Sequence, residues 1–399
     1  MKILVVSQYF WPERFAINEV VLQLSREGHE VLVATGKPGY PEGETFEGYS
    51  AWGFQREHYQ GRVEVLRLPV WPRAEGGRSR LLNHLSFVVG ASVCLPWLLR
   101  KREFDAILVF APAPLTQALP ALILKKLKKV PLCLWLQELW PDPEAPDDRG
   151  GTLKRWLSRR IFQRCDQVAV CSRAYLKPLE DVVASRKLSY LPIPSELPAP
   201  SKIVPLNAEV SDLLAKHFCV VFACQLGTSE SLETVVQVAT HLRDDPRIRV
   251  LMAPRGSRVA WLRAQQHALE LSNLVLLGPM ADEAVLEMVQ QASALLVSFD
   301  AESSLAALIP PEVARALAAG KPVVASMDGE GARAILDARA GLASAAEQVL
   351  PLVANVRCMA VLGDAERAAM GRSGRAYYDA HFAPEASSKR LLKLLGAGE

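Results

Sequence analysis

The chain has 399 residues and a mass of 43.8 kDa, which at roughly 100–200 residues per domain points to two or three domains rather than one core. Half of the residues are apolar, 22% are charged, and 46 Lys and Arg nearly cancel 43 Asp and Glu to leave +3. That balance excludes a disordered charged tail and lacks the clustered basic footprint of a nucleic-acid binder.

In chain order, Lys2 to Val6 reads as a buried strand, Ile17 to Glu27 as a helix with Val20, Val21 and Leu24 on one face, and Glu30 to Thr35 as a second strand after Gly28-His29. Gly36 to Gly53 reads as a Gly/Pro/aromatic loop. Strands follow at 63–68, 104–110, 131–136, 167–171 and 188–191, with helices at 115–128, 152–165 and 173–183. Continuous apolar strands separated by helical runs predict a parallel sheet covered on both faces.

Leu81 to Leu99 is apolar over nineteen residues and is flanked by Arg78, Arg80 and Arg100-Lys101-Arg102. Asn83, His84, Ser86, Ser92 and Pro96 inside it, and strands of one sheet on either side, argue against a membrane span. Two readings stay open: a buried crossover helix, or an interfacial helix that rests residues 78–102 on anionic lipid as a peripheral membrane contact.

Pro192, Pro194, Pro198, Pro200 and Pro205 break the pattern and mark a linker over 192–217. A second alternating run follows, with strands at 218–224, 248–252, 273–277, 294–299 and 322–325 and helices at 230–243, 258–271, 282–292 and 311–319. The end is helical at 363–380 and 384–395. The expected fold is α/β, two doubly wound Rossmann-like domains of residues 1–195 and 206–380, with 383–399 returning to the first. Such sheets bind ligands at the carboxyl ends of their strands, so a cleft between facing domains is expected.

Seven cysteines, at 94, 133, 165, 171, 219, 224 and 358, form no CxxC pair. With an N-terminal apolar run too short for a signal peptide and no glycosylation sequon, they point to a reducing, cytoplasmic setting. No P-loop, GxGxxG, HExxH or GxSxG is present. Asp142-Pro143-Glu144 reads as a solvated loop, so no metal is expected.

The chemistry therefore rests on strand-end loops. Ser7 to Glu19 leaves the first strand through Trp11, Glu13, Arg14 and Asn18, a longer and more aromatic route than a simple turn needs. Gln137-Glu138 follows another strand, with Glu138 between Trp135 and Trp140. Apolar neighbours raise a carboxyl pKa and suit it to proton transfer, although a helix cap or a loop salt bridge explains Glu138 equally. In the second domain Gly227-Thr228 enters a helix whose free N–H groups suit an anion. Arg255-Gly256 follows a strand, where the Arg reaches either a phosphate or solvent. Pro310-Pro311-Glu312 opens a helix that closes at Gly320, which helix punctuation alone also explains.

Gly28-His29-Glu30-Val31, Ala318-Ala319-Gly320-Lys321-Pro322 and Met370-Gly371-Arg372-Ser373-Gly374 resemble the family 4 GT-B glycosyltransferases. Residues 7–18, 35–41, 134–142 and 328–333 resemble its WbuB-like subgroup, fucosamine-type sugar transferases of cell-surface polysaccharide synthesis. The resemblance implies a retaining, metal-independent transfer from a nucleoside diphosphate sugar, with no cofactor, to a hydroxyl acceptor, often lipid-linked. It implies donor binding by Gly227, Thr228, Arg255, Gly256, Met280, Pro310, Pro311 and Glu312. It also implies acceptor contacts from Trp11, Arg14, Asn18 and Gln137, the last standing at the family's catalytic His. Glu13 and Glu138, at the ends of the first-domain strands, are expected to be the catalytic carboxylates on the acceptor side.

The donor motif departs from the pattern. Ala307 and Arg315 replace a pair of Glu, and Glu312 replaces a Lys. The first 200 residues carry 27 basic against 21 acidic groups and the rest 19 against 22, so the donor half is the more acidic. Either donor binding is rebuilt around Arg255, Arg258 or Arg315, or the fold is kept as a non-catalytic scaffold.

Overall fold

The computed structural model describes residues 1–40, 45–50, 52–72, 77–112, 114–140, 151–195, 205–222, 231–278, 280–301 and 306–396. The chain divides into two compact units, Met1–Pro194 with Ala383–Glu399, and Ser195–Phe382.

The first unit runs β1 (Lys2–Val6), α1 (Ala16–Arg26), β2 (Glu30–Thr35), β3 (Gln55–Tyr59), β4 (Val63–Arg67), α2 (Gly77–Leu98), β5 (Ala106–Ala111), α3 (Leu119–Lys128), β6 (Leu132–Leu136), α4 (Gly151–Arg164), β7 (Gln167–Val170), α5 (Leu176–Glu180) and β8 (Leu188–Tyr190). Its sheet has the order β3-β4-β2-β1-β5-β6-β7-β8 and is parallel except for β3. Ile3 to Val6 and Ala106 to Ala111 are buried throughout, as strands covered on both faces must be. Strand β3 falls just after the expected loop and was not anticipated: an antiparallel edge strand tolerates the polar sequence Gln55-Arg56-Glu57-His58 that hides it. The apolar stripe of α1 (Ile17, Val20, Val21, Leu24) faces the sheet. Against that helix packs the last helix of the chain, its Leu391 and Leu395 entering the same core.

The second unit runs α6 (Ala208–Lys216), β9 (Phe218–Phe222), α7 (Leu232–His241), β10 (Ile248–Met252), α8 (Val259–Ala268), β11 (Leu274–Leu276), α9 (Asp282–Gln291), β12 (Ala294–Ser298), α10 (Pro311–Ala318), β13 (Val323–Ser326), α11 (Gly329–Asp337), β14 (Gly341–Ser344), α12 (Val349–Val361) and α13 (Asp364–His381); α14 (Pro384–Leu394) belongs to the first unit. Its parallel sheet has the order β11-β10-β9-β12-β13-β14. Helix α6 lies inside the expected linker, started by Asn207, whose side chain accepts the Val210 N–H at 2.8 Å. The α11, β14 and α12 segment was also not anticipated. Its helices are short or apolar on several sides, and β14 is only the four residues Gly341-Leu342-Ala343-Ser344.

Helix α2 connects β4 to β5 as a crossover, but only one of its faces is buried. Phe87, Ala91, Leu95 and Leu99 meet the protein, whereas Leu82, Leu85, Val89, Val93 and Trp97 are exposed. The expectation of a buried crossover helix therefore holds for half of its circumference.

Candidate functional site

In the first sheet β1 lies between β2 and β5, so the chain crosses over to either side of it and the loops open at its carboxyl end. There Gln8, Tyr9, Glu13, Lys37, Tyr40 and Asn83 line a small pocket. The rings of Tyr9, Phe15 and Tyr40 stand against one another at 5.4–5.5 Å, within the range where aromatic pairs attract.

Glu13 is buried in this pocket wall. Its carboxylate accepts the N–H groups of Gly39 at 2.9 Å, Tyr40 at 2.7 Å and Phe10 at 3.2 Å. Burial raises its pKa above the ordinary carboxylate value, while those N–H groups and Arg67 pull the other way. A carboxylate engaged in this way ties the loop after β1 to the loop after β2, which suits Glu13 to positioning those loops rather than to the expected catalytic role. Asn18 is likewise spent inside the protein: its amide donates to Glu13 O at 2.7 Å and accepts from Trp11 N at 3.2 Å. It braces the loop instead of facing an acceptor. Trp11 is partly buried beside Tyr59, and Arg14 is exposed.

Two buried polar clusters behind the pocket were not identified from the sequence. Arg67 at the end of β4 has no exposed side-chain surface; it donates to Glu57 at 2.5 Å, to Gly36 O at 3.2 Å and to Trp11 O, under the ring of Tyr49. Lys37 is buried alongside and donates to Gln55 at 2.9 Å, with burial and the nearby Arg67 lowering its pKa. The signal for Arg67 was an Arg in the apolar run Val63 to Val70. In the second cluster Gln8 donates to Asn83 at 2.8 Å and meets His84 at 2.7 Å, and Gln117 accepts the Gln8 N–H at 3.1 Å. Asn83 and His84 were noticed only as polar breaks in an apolar helix.

At the end of β6 the sequence expectation needs correction. Trp135 is wholly buried, and its indole N–H donates to Leu191 O at 2.9 Å; Glu138 is exposed. Trp140 is partly buried and the residues after it lie outside the described ones. The apolar setting expected for Glu138 is not formed by Trp135, so its candidacy as a proton-transfer group loses its physical basis. The unusual residue is its neighbour. Gln137 is buried, its backbone pinned to Ala111 O at 3.1 Å and by the Cys171 thiol at 3.1 Å. Yet neither its side-chain oxygen nor its nitrogen has a partner among the described residues.

In the second sheet the crossover reverses between β9 and β12. Next to that point Ser231, Glu233, Thr234, Arg258, Asp300 and Glu347 line an open pocket. Gly227 and Thr228 lie outside the described residues. Arg255 donates to Asp282 at 2.7 Å and to Met280 O, which brings the expected Arg255 and Met280 together; Gly256 is exposed beside them. Arg258 pairs with Glu233, lowering that carboxyl's pKa, and lies over Trp261. Pro310 and Pro311 start α10, and Glu312 in its first turn lies 3.7 Å from Arg315. Glu330 in the first turn of α11 repeats the arrangement with Arg333 at 3.7 Å. The acidic residue that sequence reading set against a diphosphate thus sits where a helix N-terminus favours a carboxylate. Gly329 lets α11 approach the segment before α10, because a Cβ there would collide with the Ala306 backbone. Among the described residues no three His, Cys, Asp or Glu side chains converge as a metal site.

Comparison with known proteins gives this architecture a family. Residues 14–194 match the Glycosyl transferase 4-like domain and residues 217–360 match Glycosyl transferases group 1. A protein of Escherichia coli (strain K12) named "Putative colanic acid biosynthesis glycosyl transferase WcaI" is 28% identical over 289 residues, 67% of this chain and 70% of that protein. Among solved structures, Anabaena HepE in complex with UDP superposes with a TM-score of 0.66 at 14% identity, covering all of both chains. A glycosyltransferase from Rickettsia africae gives 0.68 at 13%, covering 99% of this chain and 97% of that one. With a transferase 4-like domain on its first sheet and a group 1 domain on its second, the chain is a glycosyltransferase enzyme of the GT-B fold.

Proposed function

We propose that the enzyme is a retaining, metal-independent transferase of the WbuB-like subgroup, moving a sugar from a nucleoside diphosphate donor to a hydroxyl acceptor in polysaccharide or glycolipid assembly. The donor is held by the second unit and the acceptor, lipid-linked, by the loops of the first. The observation that carries this reading is Gln137. A buried amide without partners costs about 1–3 kcal/mol for each unsatisfied polar group, and at a strand's carboxyl end a sugar hydroxyl, able both to donate and to accept, satisfies it. The WcaI likeness supports a role in polysaccharide synthesis, and the HepE likeness supports a uridine nucleotide among the candidates.

Charge on the departing diphosphate is the main quantity to stabilise. Arg255 and Arg258 are the cations for it. Both stand in partly exposed ion pairs, and such pairs are worth only about 0–1 kcal/mol, so a diphosphate displaces Asp282 and Glu233 at little cost. Free cysteines buried at 133, 165, 171 and 219 support a reducing, cytoplasmic setting. Calorimetric titration with UDP, GDP and TDP tests the donor assignment. Heat with one of them is expected; none with any, in protein shown to be folded, overturns it.

A further inference from the structure

A helix that closes a soluble α/β unit ordinarily turns charged residues outward. Helix α2 does not. Its inward stripe is Asn83, His84, Phe87, Val88, Ala91 and Leu95, and its outward stripe, at the same three-to-four-residue spacing, is Leu82, Leu85, Val89, Val93 and Trp97. Val89, Val93 and Trp97 are 61%, 70% and 63% exposed. The inward face is fixed by the Gln8 network, so the helix cannot rotate to hide the outward one without breaking the hydrogen bonds of Asn83 and His84.

The apolar face does not end with α2. Helix α3 packs beside it and exposes Ile123 and Leu127. Trp71, exposed, is tied to the first half of α2 through its N–H on Ser86 and its carbonyl on Asn83. Aromatic side chains thus stand by both halves of the helix, Trp71 beside the first and Trp97 in the second, with Arg100 over the Trp97 ring at 4.8 Å.

Basic groups outnumber acidic ones around this face, with Glu103 and Asp105 the exposed acidic residues between its two basic segments. No Asp or Glu occurs from 76 to 102 or from 106 to 137, while Arg80, Arg100, Lys101, Arg102, Lys125, Lys126, Lys128 and Lys129 do. Arg102 is engaged by Glu64, Lys125 by Asp166, and Lys128 by the carbonyls of Arg100 and Arg102. Arg80, Lys101, Lys126 and Lys129 are exposed. An apolar stripe with tryptophans and a basic rim has the chemistry of a bilayer's headgroup boundary when the lipid is anionic. A neutral protein partner would leave the rim without counter-charge.

We propose that the exposed face of α2, extended by Leu127 of α3 and by Trp71, lies in the interfacial plane of an anionic lipid bilayer and holds the first unit there. The surface stands independently of the donor assignment, and lipid binding is measured without turnover, so either can fail without the other.

The test is flotation of the full chain with phosphatidylcholine vesicles, with and without phosphatidylglycerol. Binding to the anionic vesicles at low salt is expected, weakened by high salt as the Debye length shortens. Val89→Glu with Val93→Glu, both on the exposed stripe, should lower it by at least about tenfold with an unchanged melting temperature. Lys101→Glu with Lys126→Glu should lower it while leaving the apolar stripe intact. Equal recovery with neutral and anionic vesicles, or no flotation with either, overturns the proposal. So does a dimer that dissociates on the Val89→Glu and Val93→Glu change while lipid binding is absent, since the face would then be covered by a second copy. Resistance of bound protein to alkaline carbonate would mark a membrane span and overturn it as well.

Discussion

His84 Nδ1 lies 2.7 Å from Gln8 Oε1, and this contact ties the crossover helix α2 to the carboxyl end of β1. The Gln8 amide nitrogen is already given to Asn83, so its oxygen accepts and Nδ1 donates. The opposite ring nitrogen, 2.5 Å from the Thr116 hydroxyl, then accepts. This is a neutral imidazole, and burial lowers its pKa from 6.5 to about 4.

A folded pKa below the unfolded one means that the unfolded chain binds the proton more readily. The stability contributed by neutral His84 is therefore complete above about pH 6.5 and is lost as the pH falls toward 4. The full difference is worth about 3 kcal/mol. The urea midpoint of the first unit should fall over that window in the native chain and fall less in His84→Gln, which keeps a hydrogen-bonding side chain without the titration. Identical pH profiles for the two would show that His84 is not the group responsible.

Arg67→Met should destabilise the first unit by about 1–3 kcal/mol, because it leaves two backbone carbonyls and a partly exposed carboxylate without their donor. The stranded groups are the Glu57 carboxylate and the carbonyls of Gly36 and Trp11. Arg67→Lys should recover only part of this, since an ammonium lacks the planar fork that reaches three acceptors. Urea denaturation of the three proteins checks the order; a methionine variant as stable as the native protein would refute it.

Gly371 in α13 faces Gly320 at the end of α10, and a Cβ on Gly371 would collide with the Gly320 carbonyl. Gly371→Ala must therefore push two helices apart, at about 1–3 kcal/mol for overpacking. Gly28, with open space and a φ of +88°, tests the other cost. Gly28→Ala should lose about 1 kcal/mol through backbone strain alone. Thermal melts of both variants read the difference, and equal losses would remove the packing argument.

What the sequence disclosed follows from where information is local. The apolar strands β1, β5 and β6 of the first sheet and β9 and β12 of the second announced two parallel sheets, because burial on both faces writes itself into nearly every residue. Strand β3 carried no such mark, since an edge strand's identity lies in its partner β4. The site was legible as a set of loops, but not in its division of labour. Glu13 and Asn18 were picked for their chemistry and prove to be braces, because only folding reveals that Gly39, Tyr40 and Trp11 consume their hydrogen bonds. Arg67 is hidden for the same reason: Gly36 and Trp11 lie 31 and 56 residues away, and Glu57 meets it only through the pairing of β3 with β4. The apolar length of α2 was plain; that both of its faces are apolar, with one left outside, depends on what packs against it.

Gln137 allows structural and functional roles to be separated in one experiment. A buried amide that held the fold together would have partners, and its removal would lower stability. With none among the described residues, replacement by methionine, similar in length and apolar, removes a desolvation penalty and should leave the melting temperature equal or higher. Turnover should behave oppositely. A hydrogen bond to a substrate hydroxyl worth about 1.5 kcal/mol corresponds to a loss of about tenfold in rate or affinity. Gln137→Leu, shorter and likewise apolar, should show the same division, a melting temperature held and turnover lowered, if the loss comes from the amide and not from the shape of methionine. Donor turnover and thermal melting measured on the three proteins decide the matter: a methionine variant that melts earlier but turns over normally would make Gln137 a structural residue.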